Sequence, residues 1–395
     1  MSDSASHDFG RPTLAIIGGG QLARMMAAPA LNLGLPLRLL AEAEGVSAAQ
    51  VIPDQQVGDY RDLDTLLQVT EGCAVVTFDH EHVPTEHLHA LEAAGHSPRP
   101  GPEALVYAQD KGEMRTKLAE LGVPCPRNAI VTSVDEVAAF GFPCVLKTTR
   151  GGYDGKGVWV VRSADDCAEP FATAEQAGVR ILAEELVDFR RELSALIARS
   201  PSGQAAAYPV VQTTQRDGIC HEVIAPAPDL SAELATQAQE AALRVAKELG
   251  VTGIMAMELF ETNDGRILVN ELAMRPHNTG HWSQDGAVTS QFENHLRAVM
   301  DLPLGSPEPR QPWTVMVNIL GSDPEAGHLY DGYPHAFARD PRLRVHLYGK
   351  EIRPGRKVGH VNTYGDDLED CLERARHAAA WFDGSLGNES ADESE

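Results

Sequence analysis

The sequence predicts a multidomain chain of mixed class, α/β followed by α+β, with a parallel α/β unit first and a small β-rich domain last. Three observations predict it. Strand and helix patterns alternate from Thr13 to Phe78; from about Asp110 they give way to a glycine-rich hairpin and two acid-bearing strands; past the Pro-rich link LGSPEPRQP, strand patterns return. The length, 395 residues, also exceeds one simple core. The boundaries read as 12–109 for the first domain, 110–304 for the second with a lid at about 125–190, and 305–384 for the third. Residues 1–11 and the acidic 385–395 read as disordered.

The first domain opens with a strand at Thr13–Ile17, a helix from Gln21 and a second strand at Leu35–Leu40. A helix near Asp62–Val69 and a strand at Ala74–Phe78 follow. Its first turn, Gly18-Gly19-Gly20-Gln21-Leu22-Ala23, satisfies GxGxxA, and Glu42 or Glu44 lies near the offset of a ribose-binding acid. A dinucleotide-binding domain is one reading. A glycine turn at a helix N-terminus also receives a phosphate or carboxylate with no nicotinamide attached.

The second domain starts with a helix at Lys111–Leu121 and the connector GVPCPRN, then FPCVLKTTRGGYDGKGVWVV. That stretch reads as strand, loop and strand. Gly151, Gly152, Gly155 and Gly157 let backbone N–H groups close over phosphates, with Lys147, Asp154 and Lys156 around them. It is no Walker A motif, since GxxxxGK[ST] is absent and a strand follows. Arg180–Val187 reads as an edge strand ending in carboxylates, and Glu192 opens ELSALIARS. Such a strand and acid suit an adenine amino group and ribose hydroxyls.

A helix at Ser231–Leu249 leads to strands at Gly253–Phe260 and Arg266–Leu272, joined by the turn Thr262-Asn263-Asp264-Gly265. Antiparallel pairing brings Glu258 and Glu271 together with Asn270 beside them. Adjacent half-buried carboxylates repel unless a cation lies between them. Two Glu and one Asn, all oxygen donors, suit Mg2+ or Mn2+ rather than zinc. The segment NELAMRPHNTGHW then places Arg275 and His277, an anion fork and a proton-transfer group, directly after the metal strand. A helix at Ser290–Met300 closes the domain. The third domain begins with TVMVNILG and carries Lys350, Arg353, Arg356 and Lys357, a basic cluster in a chain of net charge −24.

That charge argues against a general nucleic-acid surface. Six cysteines without a CxxC pair indicate neither a zinc site nor a disulfide framework. No run approaches a membrane span, and the polar start MSDSASHDFGR is unlike a signal peptide, so the expected location is the cytoplasm.

Lys111 before a helix, Lys147 on a strand, the glycine-rich lid, the EELV strand and the Glu258, Asn270, Glu271 set together resemble the ATP-grasp superfamily, which grips ATP between two α+β subdomains. Within it, GGGQLARM, TTRGGYDGKG, NELAMRPHNTGHWSQDGAVTSQFENHLRA and KEIRPGRKVGH are similar to the N5-carboxyaminoimidazole ribonucleotide synthase family of purine biosynthesis, from about Pro12 to His377. The resemblance implies an ATP-grasp fold behind a Rossmann-like pre-ATP-grasp domain. It implies carboxylation of 5-aminoimidazole ribonucleotide by bicarbonate, through carboxyphosphate, with release of ADP and phosphate. The metal, Mg2+ or Mn2+, is implied on Glu258, Asn270 and Glu271.

By the same resemblance, ATP phosphates meet Lys111, Lys147 and the lid residues Gly152, Tyr153, Asp154, Gly155, Lys156 and Gly157. Adenine meets Glu184, Glu185, Leu186 and Val187, and the ribose meets Glu192. Tyr153 and Asp154 approach the aminoimidazole, Asp154 orienting its amine or taking its proton. Arg275 and His277 hold bicarbonate or carboxyphosphate. The substrate phosphate lies between Gln21-Leu22 and Lys350 with Arg356, with Glu81 on the ribose. A homodimer is the family expectation. Ala23, Met274 and Gln212-Thr213 depart from the usual pattern, and no contact is assigned to Gln212. The rival readings are another ATP-grasp ligase, of glycinamide ribonucleotide transformylase or biotin carboxylase type, an NAD-dependent oxidoreductase, and a non-catalytic nucleotide-binding module.

Overall fold

The computed structural model describes residues 12–152, 155–322 and 328–387. Tyr153 and Asp154 lie outside the described residues.

The first domain holds four parallel strands, β1 (Leu14–Ile17), β2 (Leu37–Ala41), β3 (Gln55–Val57) and β4 (Val75–Phe78), in the order β3-β2-β1-β4. β1 and β4 are buried along their whole length, as parallel strands covered on both faces must be. β3 was not expected; its three half-polar residues give no periodic signal.

The lid is a separate four-stranded antiparallel sheet of β5 (Asn128–Val131), β6 (Cys144–Thr148), β7 (Val158–Val161) and β8 (Ile181–Glu185), in the order β5-β8-β6-β7. β8, expected as an edge strand, lies inside this sheet. Its apolar residues Ile181, Leu182 and Ala183 are buried, as an interior strand requires.

The main sheet contains β9 (Phe189–Arg199), β10 (Ala205–Ala207), β11 (Val211–Arg216), β12 (Ile219–Ala225), β13 (Gly253–Thr262), β14 (Ile267–Ala273), β15 (Trp313–Leu320), β16 (Arg344–Leu347) and β17 (Lys357–Gly365). They run in the order β14-β13-β9-β11-β12-β15-β17-β16, with β10 beside β9. β12 pairs with β15, so the sheet continues across the expected boundary near residue 304. The third domain adds the helix Leu368–Asp383, whose Leu372, Ala375, Ala379 and Phe382 close a core over β15 and β17. Ser385–Gly387, expected in the disordered tail, form a short 3₁₀ turn after it.

The helices follow local rules. Asp110 caps Lys111–Glu120 by accepting the N–H groups of Gly112 and Glu113, Ser231 caps Ala232–Glu248, and Ser290 caps Gln291–Val299. No helix among the described residues is long and apolar enough to cross a membrane. The three units meet around one cleft of about 1230 Å³.

Candidate active site

The glycine turn reads differently in three dimensions. Gly18, Gly19 and Gly20 connect β1 to the helix Gln21–Leu33, but the space they clear is filled by the chain's own acids. The Asp79 carboxylate, at the end of β4, accepts the Ala23 N–H at 2.7 Å. A Cβ on Gly20 would lie 2.1 Å from that carboxylate. Glu42, one of the two candidate ribose acids, accepts the Gly19 N–H at 2.9 Å instead. Burial pushes Asp79 up to about 6. Two carboxylates at this N-terminus repel a dinucleotide pyrophosphate, so the oxidoreductase reading fails on charge. Gln21 and Leu22 still face the cleft, and the Gln21 side-chain oxygen accepts a hydrogen bond from Lys350.

Across the cleft, β13 and β14 pair with Glu258 directly opposite Glu271. The register then slips, because Leu259 pairs with Val269 and leaves Asn270 as an extra residue. In a regular strand neighbours face opposite sides; this bulge lets Asn270 and Glu271 line the same cleft. Burial, then repulsion from Glu271 and Glu192, pushes Glu258 up to about 8. A divalent cation would remove that repulsion, and hard oxygen donors are what Mg2+ prefers. Among the described residues no group of three or more His, Cys, Asp and Glu converges on one point; Glu258, Glu271 and Asn270 would offer a cation two carboxylates and an amide. Such a set leaves coordination positions for phosphate oxygens and water.

Both candidate phosphate lysines rest on this hairpin. Lys111 Nζ is 2.8 Å from Glu271 Oε1, and Lys147 Nζ is 3.1 Å from Asn270 Oδ1 and 2.6 Å from Glu184 Oε2. Glu184, expected at adenine, is instead buried between Lys147 and the equally buried Arg115. Burial opposes its ionisation, but the two cations outweigh that and hold its carboxyl below the usual value. Arg115 also donates to the carbonyls of Val269 at 3.0 Å and Asn270 at 2.6 Å, so it supports the bulge from behind. The sequence reading missed Arg115. Its position four residues after Lys111, on the same helix face, was the available signal.

Glu185, at the end of β8, and Leu186 and Val187 after it run along the cleft wall beside Phe260, which stacks on Phe189 with ring centroids 4.8 Å apart. This is a flat apolar shelf suited to a purine. Glu192 faces the same space, and burial pushes its carboxyl up to about 7. Gly152, Gly155 and Lys156 line the cleft from the lid. Gly157 does not; a Cβ there would meet the Thr148 hydroxyl at 2.5 Å, so that glycine serves close strand approach.

Beyond the β13–β14 hairpin, the Glu81 carboxylate accepts the Met274 N–H at 2.6 Å and Arg275 Nε at 3.1 Å. Glu81, expected on the ribose, therefore anchors the Arg275 loop. His277 Nε2 is 3.3 Å from Glu258 Oε1, and its Nδ1 is 2.9 Å from the Thr279 hydroxyl. Burial, then Arg275 and Lys357, hold His277 well below the usual imidazole value, so it is neutral. Lys350 and Arg356 line the far end of the same cleft.

Three family models match in series: a ribonucleotide synthetase pre-ATP-grasp domain over 12–109, an ATP-grasp domain over 116–292, and a phosphoribosylaminoimidazole carboxylase C-terminal domain over 314–374. The N5-carboxyaminoimidazole ribonucleotide synthase of Mycobacterium bovis is 54% identical over 379 residues, covering 95% of this chain and 88% of that protein. The chain belongs to the N5-carboxyaminoimidazole ribonucleotide synthase family. The synthase of Corynebacterium ammoniagenes is 49% identical, covering 96% of this chain and 95% of its own. A solved structure of the Aspergillus clavatus synthase, in complex with ADP and 5-aminoimidazole ribonucleotide, superposes with a TM-score of 0.86 at 29% identity, covering 94% of this chain and 99% of that one. As a member of this family, the chain is an ATP-dependent ligase with the ATP-grasp fold.

Proposed function

We propose that this cleft carboxylates 5-aminoimidazole ribonucleotide with bicarbonate, at the expense of ATP, and that its residues divide the work at the metal hairpin. The observation that supports this reading is the opposition of Glu258 and Glu271 across a bulge, with Lys111 and Lys147 on one side and Arg275 and His277 on the other. Without nucleotide the two lysines contact Glu271, Asn270 and Glu184. With ATP bound, they turn to its phosphates. Glu258, Asn270 and Glu271 would hold Mg2+, which when bound neutralises charge moving between phosphates.

Bicarbonate is a poor electrophile, and transfer of the terminal phosphoryl group makes it carboxyphosphate. Arg275, aimed by Glu81, offers a planar fork to this anion. Neutral His277 donates or accepts a hydrogen bond at its carboxyl end. Gln21, Leu22, Lys350 and Arg356 hold the substrate phosphate, Phe260 and Leu186 flank adenine, and Glu192 takes the ribose. Glu184 acts through Lys147 rather than on the base. Asp154 and Tyr153 keep their roles at the aminoimidazole in this reading. Mg2+, bicarbonate, a homodimer and a cytoplasmic location belong to the same proposal.

The test is ADP release by purified protein with ATP, Mg2+, bicarbonate and 5-aminoimidazole ribonucleotide, together with incorporation of labelled bicarbonate. Stimulation of ADP release by the ribonucleotide and acid-labile incorporation are expected. No stimulation sinks the assignment; a dinucleotide-dependent hydride transfer would replace it.

A further inference from the structure

Behind the carboxylation loop lies a buried polar layer that the reaction leaves unused. It is formed by His281, on the loop, and by His360 and Asn362 on β17, all shielded from solvent. Hydrogen-bond logic fixes their states. The Gln291 side-chain oxygen accepts the His277 N–H at 2.9 Å, and its amide nitrogen donates to the His277 carbonyl at 2.8 Å. That same nitrogen lies 2.8 Å from His281 Nδ1, so Nδ1 accepts and the proton of neutral His281 sits on Nε2. Burial holds His281 neutral.

His360 Nδ1 is 2.7 Å from the hydroxyl of Tyr348, a fully buried phenol. A buried phenol facing this one nitrogen donates to it, which leaves the His360 proton on Nε2 as well. The Asn362 amide nitrogen donates to the His281 carbonyl at 3.2 Å and to Asp285 Oδ2 at 2.8 Å, so its oxygen is an acceptor. Among the described residues His281 Nε2, His360 Nε2 and Asn362 Oδ1 are buried without a hydrogen-bond partner. The two imidazole centroids are 5.0 Å apart, and Asn362 is two residues along the same strand from His360, on the same face. Two donors and one acceptor on neighbouring buried side chains match the requirements of a single internal water, which typically makes about three hydrogen bonds.

We propose that one water accepts from His281 Nε2 and His360 Nε2, donates to Asn362 Oδ1, and thereby couples the substrate-phosphate loop to the carboxylation loop. The route is continuous. Lys350, at the phosphate end, is two residues from Tyr348; Tyr348 holds His360; the water joins His360 to His281; Gln291 joins His281 to both backbone groups of His277. Tyr348, His360 and His281 are therefore positioning residues. They make phosphoryl transfer to bicarbonate respond to occupancy of the ribonucleotide site. This inference rests on the function proposed above.

The test compares His360→Asn, which keeps an acceptor for Tyr348 but loses the donor at the Nε2 position, with His360→Gln, which keeps that donor but loses the acceptor for Tyr348. For His360→Asn, ribonucleotide stimulation of ADP release falls about tenfold, the size of one buried hydrogen bond, while the KM for ATP stays unchanged. His360→Gln breaks the route at the Tyr348 link instead, and stimulation falls there too, again with the KM for ATP unchanged. Stimulation equal to wild type in either variant, or a loss matched by an equal rise in the KM for ATP, overturns the coupling. A crystal structure of the wild-type protein decides independently of variant folding: a solvent peak within hydrogen-bonding reach of both Nε2 atoms is expected, and direct packing with no peak overturns the proposal. If wild-type protein shows no ribonucleotide stimulation at all, the functional reading fails rather than the coupling.

Discussion

Glu258 is where charge, burial and chemistry meet most directly. Its carboxyl is pushed up to about 8 from an ordinary 4.5 by burial and by Glu271 and Glu192. The folded chain therefore keeps a proton that the unfolded chain has lost, and stability falls as pH rises from about 4.5 to 8. Glu258→Gln should raise the melting temperature of the metal-free protein at pH 8 by about 2 °C and change it little at pH 4.5, while ADP release is lost. A scanning-fluorimetry series across pH reads the first effect, and a shift of equal size at both pH values would refute ionisation of Glu258 as its cause. Arg115 presents the opposite case. It is buried with Glu184, and Arg115→Met leaves that carboxylate with Lys147 alone. A loss of about 3 kcal/mol in denaturant unfolding is expected, as for other broken buried pairs. Glu258 was legible in the sequence because a carboxylate between Met257 and Leu259 is conspicuous, and Glu271 because the expected hairpin pairs it with Glu258. Arg115 was not, because a basic residue on a helix is ordinarily solvated.

Among the elements, the bulge in β14 does what no single residue does. It turns two sequence neighbours, Asn270 and Glu271, to one face, and Arg115 holds it through two carbonyls. Removing Asn270 restores regular alternation, with Glu271 still opposite Glu258, but withdraws the Asn270 amide and one of the two carbonyls that Arg115 holds. Such a deletion should abolish ADP release, whereas Asn270→Ala, which keeps the bulge, should retain measurable turnover. The helix Gln21–Leu33 makes a second case. Its N-terminal N–H of Ala23 is capped by Asp79, and Gly20 clears the space for that carboxylate. Gly20→Ala displaces the cap and should lower stability by about 1 kcal/mol, read by chemical denaturation. The helix and its glycine turn were visible in the sequence. Their occupant was not, since Asp79 lies 56 residues away.

Over the whole molecule, the cleft depends on contacts between the ends of the chain. The Ser47 hydroxyl donates to the Tyr348 carbonyl at 2.6 Å, Gln50 donates to the Gly349 carbonyl at 2.7 Å, and Lys350 reaches Gln21. These contacts set the basic loop of the third domain over the helix N-terminus of the first. Calorimetric titration should therefore show binding of Mg2+–ATP and none of a nicotinamide dinucleotide, because Asp79 and Glu42 occupy the turn a pyrophosphate would need. Dinucleotide binding at micromolar concentration would reverse that conclusion. From its sequence alone the chain determined its class, its helices and paired acid-bearing strands, its family and the residue types of its site, since caps, turns and periodicity are local and the motifs are contiguous. Tertiary structure alone decided which acids face the ligand and which are neutralised by the chain. Glu184, Glu81, Glu42 and Asp79 took partners dozens to hundreds of residues distant, and strand register together with a one-residue bulge chose those partners. Local periodicity carries no record of either.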